Sequence, residues 1–466
     1  MKEKEKTAVG AEPIRDARKL GVPKMLILGL QHMFAMFGAT ILVPILVNSQ
    51  QNAAGEAIGM PLSIQTTLFF AGFGTLLFHL CTKLKVPAFL GSSFAFLGGF
   101  AAMGGMNTGI YATMSQAEKL QYTCGGIVVA GLLYLALALV VKLVGVHKVM
   151  RFLPPVVTGP IIICIGLNLA PSAVSNASSC WWLALVAMAI IIVCNIWGKG
   201  MVKIIPILLG IVGSYVIALI VTLAGGPQLI DFSSLKTAGV VGLQPFFTNF
   251  GGSIAKFDLS AILVMAPIAI ASMMEHIGDM SAISATVGEN FIENPGLHRT
   301  LIGDGLATSL AGLFGGPANT TYGENTGVLV LSRVYDPKVI RLAAVYALVL
   351  SFSPLFAAFI GSIPSAIIGG VSFILYGMIS AIGVRNLVEN KVDFTNSRNL
   401  IIAATVLVCG LGFSGGITFH VGGAAITLTG LAIAAIAGIA LNAILPGKDY
   451  VFGKDDGHDS GSLGKY

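Results

Sequence analysis

Long apolar segments follow one another along almost the whole chain, and this feature restricts the possible folds more than any other. Only 10% of the 466 residues are charged and the mean hydropathy is +0.87, whereas a soluble domain carries about 25% charged residues. A membrane-spanning helix needs about 20 mainly apolar residues. Fourteen candidate spans lie at residues 25–48, 62–82, 88–104, 121–146, 154–171, 179–197, 203–225, 259–284, 300–314, 321–334, 340–361, 365–386, 399–414 and 418–445. The pattern predicts an all-α polytopic membrane protein.

The distribution of lysine and arginine predicts the orientation of these spans. Cytoplasmic loops of membrane proteins carry an excess of basic residues. With a cytoplasmic N-terminal tail, the loops expected to be basic carry Lys83, Lys85, Lys142, Lys148, Arg151, Lys199, Lys203, Arg299, Arg333, Lys338, Arg341, Arg385, Lys391 and Arg398. The opposite loops carry only Lys119, Lys236 and Lys256. We therefore expect an even number of spans in the cell membrane, with the tails 1–24 and 446–466 both cytoplasmic.

Two proline-led segments indicate an internal repeat. Pro154–Pro160 opens the fifth span and Pro364–Gly370 opens the twelfth; each has a proline at the helix start and a glycine five residues later. The segments lie seven spans apart, and because seven is odd, the two halves are predicted to have opposite orientations in the bilayer. Inverted repeats of seven spans fit the general plan of secondary transporters.

The third and tenth spans, 88–104 and 321–334, are too short for simple spanning helices and occupy corresponding positions in the two halves. The ninth span, 300–314, is also short. Gly91–Phe96 and Asn319–Asn325 begin as polar stretches and then become apolar. Irregular backbone is tolerated at membrane depth only where protein or a cavity satisfies its polar groups. We expect both segments to start extended, to meet in the middle of the membrane and to bind the substrate there.

Four acidic residues lie inside the predicted spans. They are Glu275 and Asp279 in the eighth span, Asp304 in the ninth and Glu324 in the tenth. Charged side chains at this depth are costly and usually functional. Spans 5–7 and 12–14 carry almost no charge at depth, so the chain is predicted to divide into a core domain (25–146 and 259–361) and a gate domain (154–225 and 365–445).

Glu275 and Asp279 are four residues apart and therefore share one helix face. Two carboxylates this close in a low dielectric do not easily ionise together, so one is expected to hold a proton and their titrations to be coupled. That behaviour suits a proton-coupled carrier. An alternative for Asp279 is simple solvation in a cytoplasmic vestibule. Asp304, between Gly303 and Gly305, suits capping of backbone N–H groups near Glu275 as well as binding.

The tenth span presents groups suited to a flat heterocycle. The Glu324 carboxylate accepts hydrogen bonds from ring N–H groups, and Gly323 leaves its backbone N–H approachable. Tyr322 and Phe94 can sandwich a planar ring, although each aromatic alone also suits helix packing. A structural hydrogen bond to the facing broken segment is the alternative for Glu324.

Polar residues of neighbouring spans are expected to support this site. His32 in the first span is predicted to donate to the broken third segment, and Asn325 follows Glu324 in the tenth. The other histidines in apolar surroundings, His79, His276 and His420, are interpreted as interface or packing residues.

Other classes of function are disfavoured. Lysine and arginine are scattered singly, whereas nucleic-acid binding needs a basic stripe. Most of the six cysteines lie in apolar runs without a CxxC pair, which predicts neither a disulfide nor a metal site. The chain has no recognisable metal-ligand cluster, nucleophile–base pair or phosphate loop, so neither an enzyme nor a cofactor is expected.

Five stretches make the chain resemble the nucleobase–cation symporter-2 family, also called the nucleobase/ascorbate transporters, and in particular its uracil-type members. They are Gln31–Thr40, Gly91–Phe96, Glu275–Gly278, Pro295–Arg299 and Asn319–Gly327. The similarity extends over residues 25 to 445. It implies fourteen spans in two inverted repeats, a core domain that moves against a gate domain, and a homodimer in which the gate domains meet.

The resemblance also implies roles for individual residues in binding uracil between the third and tenth spans. The carboxylates of Glu275 and Glu324 would bind the base, and Phe94 and Gly323 would offer backbone N–H groups. Tyr322 would stack on the ring. Tyr376 would line the site from the gate domain.

Position 324 favours uracil, because uracil-type members carry Glu there and xanthine or urate carriers usually carry Gln. Two positions depart from the uracil-type pattern. Asp279 stands where those members carry His, which leaves the coupling cation open between a proton and another ion. Asp304 stands where they often carry Asn, which allows a wider range of pyrimidines or purines. The alternatives are a xanthine or urate carrier of the same family and, in another class, an anion exchanger or channel of similar architecture.

Overall fold

The computed structural model describes residues 13–52, 55–240, 242, 250, 253–413, 416–421 and 424–447, and these form a mainly helical protein. The helices are α1 (Val22–Asn48), α2 (Ile64–Cys81), α3 (Leu97–Gly104), α4 (Gln116–Val144), α5 (Val146–Met150), α6 (Pro155–Ser178), α7 (Trp181–Ile196), α8 (Met201–Ile204), α9 (Pro206–Leu223), α10 (Ser233–Thr237), α11 (Leu259–Met265), α12 (Ile268–Val287), α13 (Leu297–Leu313), α14 (Gly323–Ser332), α15 (Pro337–Ser351), α16 (Pro354–Gly361), α17 (Ser365–Glu389), α18 (Ser397–Gly412) and α19 (Gly430–Ile444). The strands are β1 (Leu90–Ser92), β2 (Asn319–Thr321), β3 (Ile417–Val421) and β4 (Ala424–Leu428).

Local sequence signals explain where many helices begin. Ser115 and Glu118 form a reciprocal capping box at the start of α4, which satisfies two otherwise unpaired backbone N–H groups. Asp336 caps α15 through the Lys338 backbone N–H, and Pro337 occupies its first turn, where a missing N–H costs nothing. The helices therefore start at positions set by side-chain chemistry as well as by apolarity.

Among the described residues, seven helices are long and apolar enough to cross a membrane, or eight if the bent pair α15–α16 counts as one span. Four shorter apolar helices accompany them, at Phe94–Gly104, Trp181–Ile196, Ser397–Gly412 and Gly430–Ile444. The chain is a multi-pass membrane protein. Each of the fourteen predicted ranges overlaps at least one of the helices.

Three predicted spans differ from single continuous helices. The range 340–361 bends by 87° between α15 and α16, at Pro354, whose ring disfavours helical conformation in the preceding residue. The range 259–284 is interrupted near Pro267 between α11 and α12. The range 418–445 begins with the antiparallel hairpin β3–β4, so only Gly430–Ile444 is helical. Apolarity alone did not distinguish this hairpin from a helix.

The third and tenth spans begin as extended chain, as predicted. Strands β1 and β2 pair antiparallel, with Leu90 opposite Thr321, Gly91 opposite Thr320 and Ser92 opposite Asn319. A short 3₁₀ turn, Phe94–Phe96, leads from β1 into α3, and α14 begins two residues after β2. The pairing satisfies the facing backbone groups, and the Thr75 and Thr308 hydroxyls accept from the outward N–H groups of Leu90 and Asn319, so these groups are not left unpaired at membrane depth.

The helices pack in two groups, with α12 in contact with both. In one group α4 packs on α13, and α2 packs on α13 and α15; in the other, α6 packs on α17 and α18, and α7 packs on α9. Helix α12 contacts α4 and α13 of the first group and α6 and α19 of the second. The helix that carries Glu275 and Asp279 is therefore positioned between the two groups.

Helices α6 and α17 run antiparallel and approach closely at glycines. A Cβ atom added at Gly159 would lie 2.6 Å from Leu387 Cγ, and one added at Gly369 would lie 2.3 Å from the backbone nitrogen of Ala177. Both glycines belong to the proline-led segments of the sequence. Only hydrogen fits at these two positions, so they set the distance between the helices.

Candidate functional site

The paired strands β1 and β2 place the starts of two helical segments beside α12. Beyond the ladder, the backbone N–H of Ser93 donates to the Ala318 carbonyl at 2.8 Å, and that of Tyr322 donates to the Phe89 carbonyl at 3.0 Å. Helical structure then begins at Phe94 and at Gly323. The first N–H groups of a helix have no partner within that helix, and a helix N-terminus favours negative charge. The interrupted segments thus offer hydrogen-bond donors inside the protein.

Asp279 lies beside the end of β2 and the start of α14. Its Oδ2 accepts a hydrogen bond from the Thr321 hydroxyl at 2.8 Å, and its Oδ1 is 3.6 Å from the position of a Cβ added at Gly323. Glu275, one turn earlier on α12, is half-buried, as is Asp279. Gly278 lies between them with open space where its side chain would be. The carboxylate of Asp279 therefore contacts the tenth span directly.

Asp304 and His276 form a fully buried pair. Asp304 Oδ2 lies 3.0 Å from His276 Nδ1, and neither side chain is exposed. Capping of backbone N–H groups near Glu275 was one of two equal alternatives for Asp304; among the described residues its carboxylate makes no such bond and instead faces the imidazole of His276. The interpretation of His276 as a packing residue is incomplete. The sequence did contain a signal for this pair. Burying a carboxylate without a partner is costly, so Asp304 needed a partner, and the histidines of the core domain were the main candidates.

Tyr322 is held against β1 by its hydroxyl. The hydroxyl donates to the Ser92 carbonyl at 3.0 Å and lies 3.3 Å from the Thr40 hydroxyl, which can donate to it. A Cβ atom added at Gly91 would lie 2.3 Å from Tyr322 Cζ, so the ring contacts the backbone there. Phe94 is 9% exposed. The sequence did not predict the roles of Ser92 and Thr40, because their partner is more than 200 residues away.

The first turn of α14 contains Gly323, Glu324 and Asn325. Gly323 is exposed, whereas the Glu324 side chain lies outside the described part of the chain. Asn325 is buried, and its Nδ2 donates to the His32 carbonyl at 3.0 Å and lies 3.3 Å from His32 Nδ1. The prediction that His32 donates to the third segment is therefore wrong, since its ring faces Asn325 of the tenth, where α1 packs along α14.

Tyr376 belongs to the α6–α17 pair. It is 2% exposed, and a Cβ atom added at Gly166 would lie 2.3 Å from its carbonyl oxygen. Its hydroxyl has no hydrogen-bond partner among the described residues. The structure thus brings Asp279, Thr321 and Gly323 together, and it places Tyr376 in the other group of helices.

Two further features bear on what the protein can bind. Within the described ranges, no group of three or more His, Cys, Asp or Glu side chains is arranged to hold a metal ion. An apolar cavity of about 370 Å³ lies elsewhere, between α1, α9 and α16, and the acidic residues do not line it. The polar site on α12 and α14 is therefore distinct from this cavity.

Two solved structures of membrane transporters have folds similar to this one. The transmembrane domain of a cyanobacterium bicarbonate transporter, BicA, superposes with a TM-score of 0.60 at 17% identity, over 91% of this chain and 99% of that one. The murine Solute Carrier 26 family member A9 anion transporter in the inward-facing state gives 0.59 at 10% identity, over 94% of this chain and 73% of that one. At these identities the likeness shows the fold.

Sequence relatives are closer. The uracil permease of Bacillus caldolyticus is 40% identical over 439 residues, 92% of this chain and 93% of the relative. The uracil permease of Bacillus subtilis is 41% identical over 430 residues, 90% of this chain and 91% of the relative. The putative pyrimidine permease RutG of Escherichia coli is 38% identical over 427 residues, 91% of this chain and 89% of the relative.

The model of the family described as "Permease family", Xan_ur_permease, matches residues 23–419. This match covers most of the chain, and the relatives are named as permeases and not as enzymes. It confirms the resemblance carried by the five sequence stretches. The chain belongs to this permease family, the nucleobase–cation symporter-2 family.

Proposed function

We propose that the chain is a secondary transporter that imports uracil into the cell together with a cation, most simply a proton. The observation that carries this proposal is the position of two half-buried acids, Glu275 and Asp279, beside the paired strands that interrupt the third and tenth spans. Carboxylates accept hydrogen bonds from ring N–H groups, and helix N-termini donate to ring carbonyls. The names of the relatives support the same substrate.

The binding residues follow from this arrangement and from the family resemblance. Glu275 and Glu324 accept hydrogen bonds from the ring N–H groups of uracil, and the backbone N–H groups of Phe94 and Gly323 donate to its carbonyls. Tyr322 stacks on the uracil ring through the face of its own ring that points away from Gly91. Tyr376 completes the site from the gate domain. Asp279, His32, Asp304 and Asn325 support the site and the coupling to protons.

Transport proceeds by alternating access, in which the core domain (25–146 and 259–361) moves against the gate domain (154–225 and 365–445). The contacts of α12 with both groups of helices support this division. Protonation at Glu275, with Asp279 sharing the proton, precedes uracil binding. A neutral carboxyl group lowers the cost of carrying the site through a state closed to water.

The inverted repeat is supported by the contacts between α6 and α17. Gly159 and Gly369 are 210 residues apart, and so are Ala177 and Leu387. Gly159 contacts Leu387, and Gly369 contacts Ala177. The offset of 210 residues therefore converts one contact into the other, with the two helices exchanged. A two-fold relation between opposite halves requires this exchange. We extend this proposal to fourteen spans with both tails in the cytoplasm, and to a homodimer in which the gate domains meet.

A wider nucleobase range is the second candidate. Asp279 and Asp304 depart from the uracil-type pattern, and one relative is named a putative pyrimidine permease. A xanthine or urate carrier remains the alternative within the family. An anion exchanger is disfavoured even though the similar folds are those of anion transporters, because acidic side chains beside the site repel an anion.

The proposal is tested by uptake of radiolabelled uracil in cells that lack their own uracil carrier. We expect saturable uptake that requires this chain, competition by unlabelled uracil, weaker competition by xanthine and urate, and inhibition by a protonophore. Uptake that stays at the level of the empty vector would contradict the proposal. Stronger competition by xanthine or urate than by uracil would instead favour the purine carrier.

A further inference from the structure

The buried pair formed by Asp304 and His276 requires a proton to be neutral. Apart from the imidazole 3.0 Å away, neither carboxylate oxygen of Asp304 has a hydrogen-bond partner in the described part of the chain. An ionised carboxylate beside a neutral imidazole would leave a net buried charge, at a cost of several kcal/mol. One proton between Nδ1 and the carboxylate removes this charge, either as imidazolium with carboxylate or as imidazole with carboxylic acid.

A single hydroxyl group links this pair to the half-buried acid of the site. Thr321 Oγ lies 3.5 Å from His276 Nδ1 and donates to Asp279 Oδ2 at 2.8 Å. The longer of these distances exceeds the usual hydrogen-bond range of about 2.7–3.2 Å, so a proton passes only when the hydroxyl moves toward the imidazole. Thr321 is also the last residue of β2, and α14 begins two residues later. The hydroxyl that links the pair to Asp279 therefore lies next to the start of α14.

We propose that His276 and Asp304 form a buried proton-binding site that is loaded through Asp279 and the hydroxyl of Thr321. This inference rests on the proposed function, since the proton that Asp279 shares with Glu275 is the one passed on to these residues. It adds His276 and Thr321, which touch no substrate and act by positioning and passing a proton.

The loading step balances as follows. A proton from the aqueous side binds the Asp279 carboxylate. The O–H bond of that carboxyl group breaks as a new O–H bond forms on Thr321, and the original Thr321 O–H bond breaks as an N–H bond forms at His276 Nδ1. Asp279 returns to its ionised form, and the pair of His276 with Asp304 becomes neutral. Release follows the same bonds in reverse.

The ionisable groups around the pair come from four elements. Helix α12 contributes Glu275 and Asp279 in addition to His276, α13 contributes Asp304, and α4 contributes Tyr134, whose Cβ packs against Gly305. Helix α14 carries Glu324 in its first turn. In the same neighbourhood, the ring of Phe78 meets His276 edge-on with centroids 6.2 Å apart, which closes one side to water.

The test uses the purified full-length chain in proteoliposomes. Uptake of radiolabelled uracil is measured across a series of external pH values, and equilibrium uracil binding is measured in parallel. For the parent chain we expect uptake to rise as the external pH falls. Thr321→Val, which keeps the side-chain shape and removes the hydroxyl, should retain uracil binding and lose this acid stimulation. Thr321→Ser should restore it.

The matched control is Thr320→Val, the same change at the neighbouring position of β2. The Thr320 hydroxyl is buried and has no hydrogen-bond partner among the described residues, so this variant should keep the parent pH profile. Acid stimulation that persists in Thr321→Val, or that is lost equally in Thr320→Val, would overturn the relay.

A second variant keeps the inference testable if Thr321→Val does not fold. Asp304→Asn has almost the same shape and cannot form the charged pair, so its uptake should lose acid stimulation, and an unchanged pH profile would overturn the relay. Failure of the parent chain itself to bind or carry uracil would instead contradict the proposed function. The two failures are therefore distinguishable.

Discussion

Two regions of this protein solve the problem of packing in a membrane in opposite ways. The α6–α17 pair is joined by glycines that let two continuous helices approach until their atoms touch. Around α12, β2 and α14, the backbone is interrupted and buried polar groups bind one another, as Asp304 does with His276 and Asn325 with His32. Close packing suits a rigid scaffold, whereas interrupted backbone leaves donors and acceptors for a ligand.

The largest effect on stability is expected in the polar region. Replacing Asp304 with Ala leaves His276 buried without its partner, and breaking a buried charged pair costs about 3–5 kcal/mol. A chain with this change should show a strongly lowered thermal midpoint in detergent. Asp231→Ala is the control, because Asp231 is exposed and only binds Ser233 locally. Equal midpoints for the two variants would mean that the buried pair contributes little.

A somewhat smaller effect is expected in the glycine-packed pair. Gly369→Val places carbon atoms against the backbone of Ala177, and overpacking of this kind costs about 1–3 kcal/mol. Gly377→Ala on the same helix is the control, since nothing lies within 4 Å of its added Cβ and alanine favours helix by about 1 kcal/mol over glycine. Thermal unfolding should therefore separate the two variants. If Gly369→Val is as stable as the parent, close packing does not define this region.

The smallest effect is expected outside both regions, at the start of the described chain. The Arg18 side chain holds the pKa of Asp16 well below its ordinary value of 3.8, and Lys338 contributes to the same shift. The pKa of Asp16 is lower in the folded chain than in the unfolded chain, so its contacts with Arg18 and Lys338 stabilise the fold fully when the pH is above the ordinary pKa. This stabilisation is lost as the pH falls through the lowered pKa.

Hydrogen-exchange protection of residues 13–20 measures this local effect. Protection in the parent chain should decrease in strong acid, whereas Asp16→Asn should show lower protection at neutral pH and little further dependence on acid. A parent-like pH dependence in Asp16→Asn would assign the effect to other groups, such as Asp336, which accepts from the Ala17 backbone N–H at 2.9 Å.

The difference between the two regions also explains what the sequence could predict. Apolar length located the helices, and the polar starts of Gly91–Phe96 and Asn319–Asn325 correctly indicated extended backbone, because both are local properties. The pairing of His276 with Asp304 and the contact of His32 with Asn325 depend on how distant helices pack, which one sequence does not encode in any local pattern.

Errors in the helices themselves have similar causes. Pro354 lies in an apolar stretch that hydropathy treats as continuous, although its ring permits an 87° bend. The hairpin β3–β4 contains β-branched residues such as Ile417, Thr427 and Val421, which favour strands and contribute to hydropathy much as helical residues do. Side-chain shape, more than apolarity, would have separated these cases.

Equilibrium binding of uracil to the purified chain tests most directly whether the acids of α12 form the substrate site. Glu275→Gln should weaken binding about tenfold to a hundredfold, because the amide group replaces a carboxyl oxygen that faces the ring with an N–H donor, and a buried polar group left unsatisfied costs about 1–3 kcal/mol. Glu389→Gln, the same change in an exposed pair with Arg385, should bind as the parent does. Full affinity in Glu275→Gln, with the parent chain binding uracil, would contradict the assignment of the site.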